Sequence, residues 1–237
     1  MTDLAYLKDS YLKGCDVIVQ KADNTKIILD KTVFYYNSGG QPNDLGTINC
    51  NSKTYQVLNV YKDKETGEII HEVDKAGMKQ GDHVRCSIDW ERRYQHMRMH
   101  TAMHILSRVI SENLKDFSTG NQIGQEKSRI DFAIEDFSKE KAEEFIEKTN
   151  EILKEDHKVS ISNMDRKEML KDPELFRLKN LLPKDIEKFR IVTIGTADKQ
   201  ADGGTHVHST KEIGPLKLSK IENKGKENRR LYFKLTN

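Results

Sequence analysis

Apolar residues recur at two different periods along this chain, and the change comes near residue 89. Before it, short β-rich runs follow one another. They are Val17-Ile18-Val19, Lys26-Ile27-Ile28-Leu29 and Thr32-Val33-Phe34-Tyr35-Tyr36. The alternating Tyr55–Tyr61 segment, Glu68–Val73 and Val84–Ile88 complete the set. Asn-, Asp- and Gly-containing punctuation separates the runs, with Thr66-Gly67 as a turn and Gly77 and Gly81 further on. Many short strands at this spacing predict a small β-barrel over residues 1–88.

After Asp89 the period becomes helical. Arg92–Leu114 reads as a helix, with Met97, Met103, Ile105, Leu106, Val109 and Ile110 among its apolar residues and the Met97/Met103/Ile105 stripe expected to pack in the core. A second helix follows Ser138, which is placed to cap it, and carries Ala142, Phe145, Ile146, Ile152 and Leu153 at helical spacing. Next come a Val159/Ile161 strand, a helical piece around Arg166–Leu170, and a strand over Arg190–Ile194. A terminal hairpin alternates Leu216/Leu218 and then Leu231/Phe233/Leu235, with Gly225 in its turn. Residues 89–237 therefore form an α+β domain, and the fold class is α+β with an N-terminal barrel.

The length of 237 residues allows one large domain or two small ones. Charged residues make up 33% of the chain, against roughly 25% in an average globular protein. Both signs are mixed and the net is +2, which excludes a polyelectrolyte tail but leaves room for a local basic face. Such a face is expected near the C-terminus. There Lys211, Lys217, Lys220, Lys224, Lys226, Arg229, Arg230 and Lys234 outnumber Glu212, Glu222 and Glu227. No apolar run approaches the ~18 residues of a membrane span, so no membrane partner is expected. Met1-Thr2-Asp3-Leu4 carries an acid and no apolar h-region. Cys15, Cys50 and Cys86 form no CxxC pair, and the expectation is reduced thiols in a cytoplasmic protein.

The first chemical signal is His100-Thr101-Ala102-Met103-His104. Residues i and i+4 share one helix face, so both imidazoles reach one ion. No glutamate follows the first histidine, which sets the pair apart from the metalloprotease motif. His96 lies one turn earlier, and three stacked positions span ~12 Å, too far for a single ion. His96 is therefore expected to be exposed or RNA-facing. The second signal is the polar loop Gly195–Val207, from which His206 could return as a third ligand, with His208 as its competitor. Read blandly, it is a surface loop with an incidental histidine. Ser38-Gly39-Gly40 is either a phosphate cradle or a tight turn between strands; no helix follows it, so it is not a P-loop.

Taken in order, these motifs resemble a known family. His100-x-x-x-His104, then Asp202-Gly203-Gly204-Thr205-His206-Val207 and Lys211-Glu212-Ile213-Gly214, look like the editing domain of alanyl-tRNA synthetases. The likeness is greatest to the free-standing AlaX-type trans-editing proteins. Phe34–Pro42 resembles the glycine-rich motif of their longer members, which add an N-terminal barrel. Thr119–Gly124 and Ser128–Phe132 also fit.

The resemblance implies zinc and hydrolysis of mischarged tRNA(Ala), with serine as the chief amino acid removed and glycine as a second candidate. It implies His100, His104 and His206 as ligands. Where the family often has Cys-x-x-x-His, this chain has Asp202-x-x-x-His206, so either Asp202 or water completes the shell. Thr119, Asn121, Gln122, Gly203, Gly204 and Thr205 become the substrate-contacting candidates. Ser38, Gly39, Gly40, Gln41, Arg92, Arg93, Lys217, Lys220, Arg229 and Arg230 become the tRNA-binding candidates. Two other classes compete: a tRNA-binding module without catalysis, and a metallohydrolase of small esters.

Overall fold

A computed structural model of the chain describes residues 1–114, 118–134, 137–172, 175, 187–225 and 228–236. Two compact units emerge, Met1–Gln95 and His96–Asn237, divided within one helix.

The first unit contains β1 (Asp3–Leu4), β2 (Gly14–Asp23), β3 (Lys26–Leu29), β4 (Lys31–Thr32), β5 (Gly46–Cys50), β6 (Lys53–Lys62), β7 (Ile69–Val73) and β8 (His83–Ile88). Six of these close into a barrel in the order β2-β3-β7-β6-β5-β8. Closure leaves no open sheet edge, and period-2 alternation sends one side of each strand inward. Val17 and Val19, Tyr55 and Val57, and Val84, Cys86 and Ile88 fill the interior. His71 is buried among them, with Nδ1 3.1 Å from Ile27 O and Nε2 2.8 Å from Thr32 Oγ1. Burial pushes this imidazole down from 6.5 to about 4, so it is held neutral.

The run Thr32–Tyr36 was expected as a strand, but only Lys31–Thr32 is one, paired in parallel with β1. Side chains satisfy the backbone beyond it. Tyr35 N donates to Asp44 Oδ2 at 2.7 Å, and Val33 O accepts from Arg93 Nη2 at 2.6 Å. Further along, Ser38 and Gln41 exchange backbone hydrogen bonds of 3.2 and 2.9 Å around Gly39 and Gly40. Both glycines have positive φ, +57° and +84°, as a two-residue hairpin turn of type I′ requires. The glycine-rich motif is therefore a tight turn.

The helix α1 (Trp90–Leu114) runs from the first unit into the second. The second unit adds β9 (Ser118–Gln122), β10 (Ser128–Ala133), α2 (Lys139–Lys154), β11 (Val159–Asp165), α3 (Arg166–Met169), β12 (Lys188–Ile194), β13 (Asp198–Ala201), β14 (Leu216–Asn223) and β15 (Asn228–Leu235). One sheet has the order β14-β15-β10-β9, and a second has β11-β12-β13. Ser138 caps α2 by accepting from Lys141 N at 3.2 Å. Asn150 then clips α2 to β14 through paired bonds of 2.9 and 2.7 Å with Leu216. Met97, Met103, Ile105, Leu106, Val109 and Ile110 of α1 are buried, as the helical period predicts. No described helix is long and apolar enough to cross a membrane, and all three cysteines are free thiols.

Candidate metal centre

One turn of α1 separates His100 from His104, and their rings lie 5.3 Å apart. The loop after β13 brings His206 to within 4.5 and 4.8 Å of those two rings. This loop is tied down at both ends. Asp202 N donates to Arg190 O at 3.1 Å, Val207 N donates to Thr101 Oγ1 at 3.3 Å, and Val159 N donates to His208 O at 2.8 Å. At its exit, Ser209 and Glu212 form a capping box around a short 3-10 turn.

Asp202 completes the cluster. Its carboxylate oxygens lie 3.0 Å from His206 Nε2, 3.5 Å from His100 Nε2 and 3.8 Å from His104 Nε2. One ligand atom from each of the four residues falls within 4.8 Å of all the others. Tetrahedral zinc with bonds near 2.0–2.2 Å spaces its donors about 3.3–3.6 Å apart. The three Asp202 separations straddle that range, and three imidazoles with one carboxylate are a donor set that zinc accepts. The residues present therefore fit a metal ion.

The electrostatics agree with a cation-shaped site. Burial alone would raise the Asp202 carboxyl, but the nearby His100, with hydrogen bonding from His100 and His104, holds it well below the usual range. Burial, followed by the nearby His100, pushes His206 well below 6.5, against the pull of Asp202. Burial also opposes charge on His104, yet hydrogen bonds with Asp198 and Asp202 outweigh it and raise this ring to about 9. Gly204 donates its N–H to Asp202 Oδ1 at 2.6 Å. A side chain at Gly204 would overlap the His100 ring, so glycine lets the loop lie directly against a ligand.

Two expectations about neighbouring histidines resolve differently. His208 is exposed and stands outside the cluster. His96 is not exposed as expected: it is fully buried, so it presents nothing to RNA. Two residues that sequence reasoning passed over do touch the cluster. Asp198 Oδ2 lies 3.0 Å from His104 Nδ1, and Thr101 Oγ1 lies 3.1 Å from His206 Nδ1. The only hint in the sequence is that Thr101 stands between the two ligand histidines; Asp198 lies in the polar stretch Thr196–Gln200, which does not mark it out.

The other candidates scatter. Thr205 is buried beside His206, Gly204 is buried and Gly203 is exposed. On β9, Thr119 is exposed, with its hydroxyl 3.5 Å from Asn228 Oδ1. Asn121 pairs with the buried Ile130 and so shares its face, while the exposed Gln122 pairs with Arg129 and accepts from Arg129 Nε at 3.1 Å. Gln41 is fully buried next to the exposed Gly39. Arg92 is half-buried and donates to Asn43 O at 3.2 Å.

Arg93 needs a correction as a tRNA contact. It is completely buried and paired with Asp44, and it donates to the carbonyls of Ser10 and Val33 at 2.9 and 2.6 Å. Its charge is consumed inside the first unit. Arg230 is likewise engaged, gripping Asp131 with bonds of 2.7 and 2.8 Å. Arg229 Nη1 donates to Asn223 Oδ1 and Gly225 O, both at 2.8 Å. Lys220 pairs with Glu222 at 2.6 Å, while Lys217 and Lys234 stand exposed and opposite one another on β14 and β15. Lys226 and Glu227 lie outside the described residues.

Comparison with known proteins joins these observations. Residues 10–92 match the family described as tRNA synthetases class II (A). Residues 189–232 match the threonyl and alanyl tRNA synthetase second additional domain, which takes in Asp198, Asp202 and His206. The chain is 41% identical to the alanyl-tRNA editing protein AlaX-M of Methanosarcina acetivorans, over 99% of both chains. It is also 41% identical to AlaX-M of Saccharolobus solfataricus, over 98% of both. Against the alanine–tRNA ligase of Pyrococcus abyssi the identity is 35%, over 93% of this chain but 24% of the ligase. The chain belongs to the AlaX family of alanyl-tRNA editing proteins.

Proposed function

We propose that this protein hydrolyses the ester bond joining a non-cognate amino acid, serine above all, to tRNA(Ala), with zinc as its cofactor. The observation that carries this reading is the convergence of His100, His104, His206 and Asp202 on one buried point. Three imidazoles and one carboxylate would hold the ion. When bound, zinc supplies Lewis-acid polarisation of a water or of the ester carbonyl.

The remaining work falls to the chain itself. Exposed Gly203 leaves open backbone beside the ligands, where an aminoacyl ester can approach without meeting a side chain. Thr205, buried next to His206 in the ligand loop, and the half-buried Asn121, on the face of β9 shared with Ile130, are the polar side chains we assign to the amino acid. A serine hydroxyl that pairs with such a group leaves it unpaired when alanine enters, at a cost of about 1–3 kcal/mol. That difference is what an editing site needs. A synthetase pocket built for alanine rejects an added hydroxyl only weakly.

Recognition of the tRNA body is assigned to the outer face of the β14-β15-β10-β9 sheet. In register, Lys217 faces Lys234, Lys220 faces Tyr232, and Tyr232 faces Arg129. Lys127 stands 5.6 Å above the Tyr232 ring. Exposed cations around a half-buried aromatic suit a phosphate backbone.

The experiment is incubation of the purified protein with Ser-, Gly- and Ala-charged tRNA(Ala), with and without a chelator. Chelator-sensitive release of serine, with alanine spared, is the expected result. Binding of tRNA without deacylation would identify a recognition module. Cleavage of small esters with no dependence on RNA would identify a different hydrolase.

A further inference from the structure

A hydroxyl carries one proton, and the proton of Thr101 is already engaged. Its Oγ1 donates to Met97 O at 2.9 Å, within the same helix. To its other neighbours, His206 Nδ1 at 3.1 Å and Val207 N at 3.3 Å, it offers lone pairs. A neutral His206 therefore keeps its proton on Nδ1 and turns a bare Nε2 toward Asp202 Oδ1, 3.0 Å away. Two electron-rich atoms at that separation, the imidazole nitrogen buried and the carboxylate half-buried, call for a cation between them.

The same logic applies to His104 from the opposite side. Asp198 Oδ2 accepts from Gln200 Nε2 at 2.9 Å and lies 3.0 Å from His104 Nδ1. The Asp198 side chain is fully buried. It takes the Nδ1–H of His104, and the Nε2 of that ring faces Asp202 Oδ2 at 3.8 Å. We infer that Thr101 and Asp198 are positioning residues for the metal, each holding a ligand imidazole by its Nδ1–H so that Nε2 is presented to the ion. This inference rests on the metal reading above and extends it to two side chains outside the ligand set.

The arrangement explains why one threonine stands between two ligand histidines on α1. Through Val207 N and His206 Nδ1, Thr101 clamps the third ligand and its loop to the helix bearing the other two. Asp198, at the start of β13, performs the same service from the strand that leads into Asp202. Outer partners of this kind fix ring orientation and strengthen the ligand, and their loss costs roughly 10–100-fold in metal affinity.

The test compares the parent chain with Thr101→Val, Thr101→Ser, Asp198→Asn and Asp198→Ala. Zinc affinity is measured by competition with a chromogenic chelator, and histidine tautomers are read by ¹⁵N NMR on zinc-loaded and metal-free protein. Thr101→Val and Asp198→Ala are expected to weaken zinc roughly 10–100-fold. Thr101→Ser should restore most of the loss, and Asp198→Asn should fall between parent and alanine. His206 should carry its proton on Nδ1 in both forms of the parent. Melting of the metal-free variants separates a folding defect from lost affinity, since only the latter tracks with the hydroxyl and the carboxylate. The inference is overturned if Thr101→Val and Asp198→Ala bind zinc as tightly as the parent, or if His206 carries its proton on Nε2. A parent chain that takes up no zinc overturns the metal reading and this inference with it, whereas a parent that binds zinc no better than the variants overturns the inference alone.

Discussion

His206 Nε2 stands 3.0 Å from Asp202 Oδ1, and the same carboxylate approaches the Nε2 atoms of His100 and His104. Asp202 is therefore the member whose carboxylate approaches the Nε2 atom of each of the three histidines. It occupies the place where the resemblance to the family expects a thiolate. Zinc accepts sulfur at about 2.3 Å, so Asp202→Cys should keep or tighten zinc binding. Asp202→Ala should weaken it by more than the roughly 10–100-fold that loss of an outer partner costs. Chelator competition on the three proteins checks both, and equal affinities would remove Asp202 from the ligand set.

Gly204 and Gly203 make a paired experiment. A methyl group at Gly204 would meet the His100 ring and lie 2.9 Å from Asp202 Oδ1, whereas at Gly203 it would meet nothing within 4 Å. Gly204→Ala is expected to abolish most metal uptake, and Gly203→Ala to leave it intact. Metal analysis after dialysis against zinc reads the difference. Full occupancy in Gly204→Ala would mean that the loop relaxes away from His100 at little cost.

How much of this was legible in the sequence depends on range. The pair His100/His104 could be read from helical spacing, and the barrel from alternation, because both patterns are local. His206 was legible only as a loop histidine that could return. Nothing local marks Asp198 or Thr101 as a partner of a ligand, since those partners lie 94 and 105 residues away. Arg93 misled for the same reason. A buried arginine needs a partner, and its partner Asp44 lies 49 positions earlier. The position of His96 one turn before the metal pair bears on what it can ligate and carries no information about what buries it.

The Arg93–Asp44 pair sets up a stability test for the first unit. Both side chains are fully buried, and Arg93 also satisfies Ser10 O and Val33 O. Removing one partner leaves an uncompensated charge inside, at a cost of about 3–5 kcal/mol. Asp44→Ala should show that loss in urea unfolding and should also free Tyr35 N, which Asp44 now accepts. A change below about 1 kcal/mol would mean that water reaches the site and replaces the carboxylate.

His71 makes stability depend on pH in a stated window. Its folded-state value is about 4, against 6.5 for the free side chain. Between those values the unfolded chain takes up a proton that the folded chain refuses, so stability falls as pH drops from 6.5 toward 4. Above 6.5 the contribution is complete, and below 4 the curve flattens. The lowering corresponds to roughly 3 kcal/mol over the window. His71→Gln should flatten the slope of unfolding free energy against pH between 6.5 and 4 relative to the parent. Identical slopes would assign the acid sensitivity to other groups.

Lys217 and Lys234 lie directly opposite each other across the β14–β15 ladder, both exposed. Among the described residues neither forms an ion pair. Like charges in that relation destabilise a sheet, so the pair costs stability unless an anion answers it. Arg230 differs, because Asp131 already neutralises it through two hydrogen bonds. If the outer sheet face holds the tRNA backbone, these lysines and not Arg230 supply the counterion release. Each phosphate contact contributes about 0.9 to the slope of log affinity against log salt on duplex nucleic acid. The double substitution Lys217→Ala/Lys234→Ala should therefore lower the magnitude of that slope by about 2. It should also weaken binding at low salt and leave folding stability unchanged or slightly raised. Arg230→Ala should move the slope far less, and any binding loss there should accompany a loss of stability, since the buried Asp131 is left beside Arg129 alone. Fluorescence anisotropy with labelled tRNA(Ala) across a potassium chloride series measures both variants. If the double lysine variant keeps the parent slope while Arg230→Ala reduces it, the RNA-facing charge lies at Arg230 after all, and the paired lysines are ordinary solvated surface.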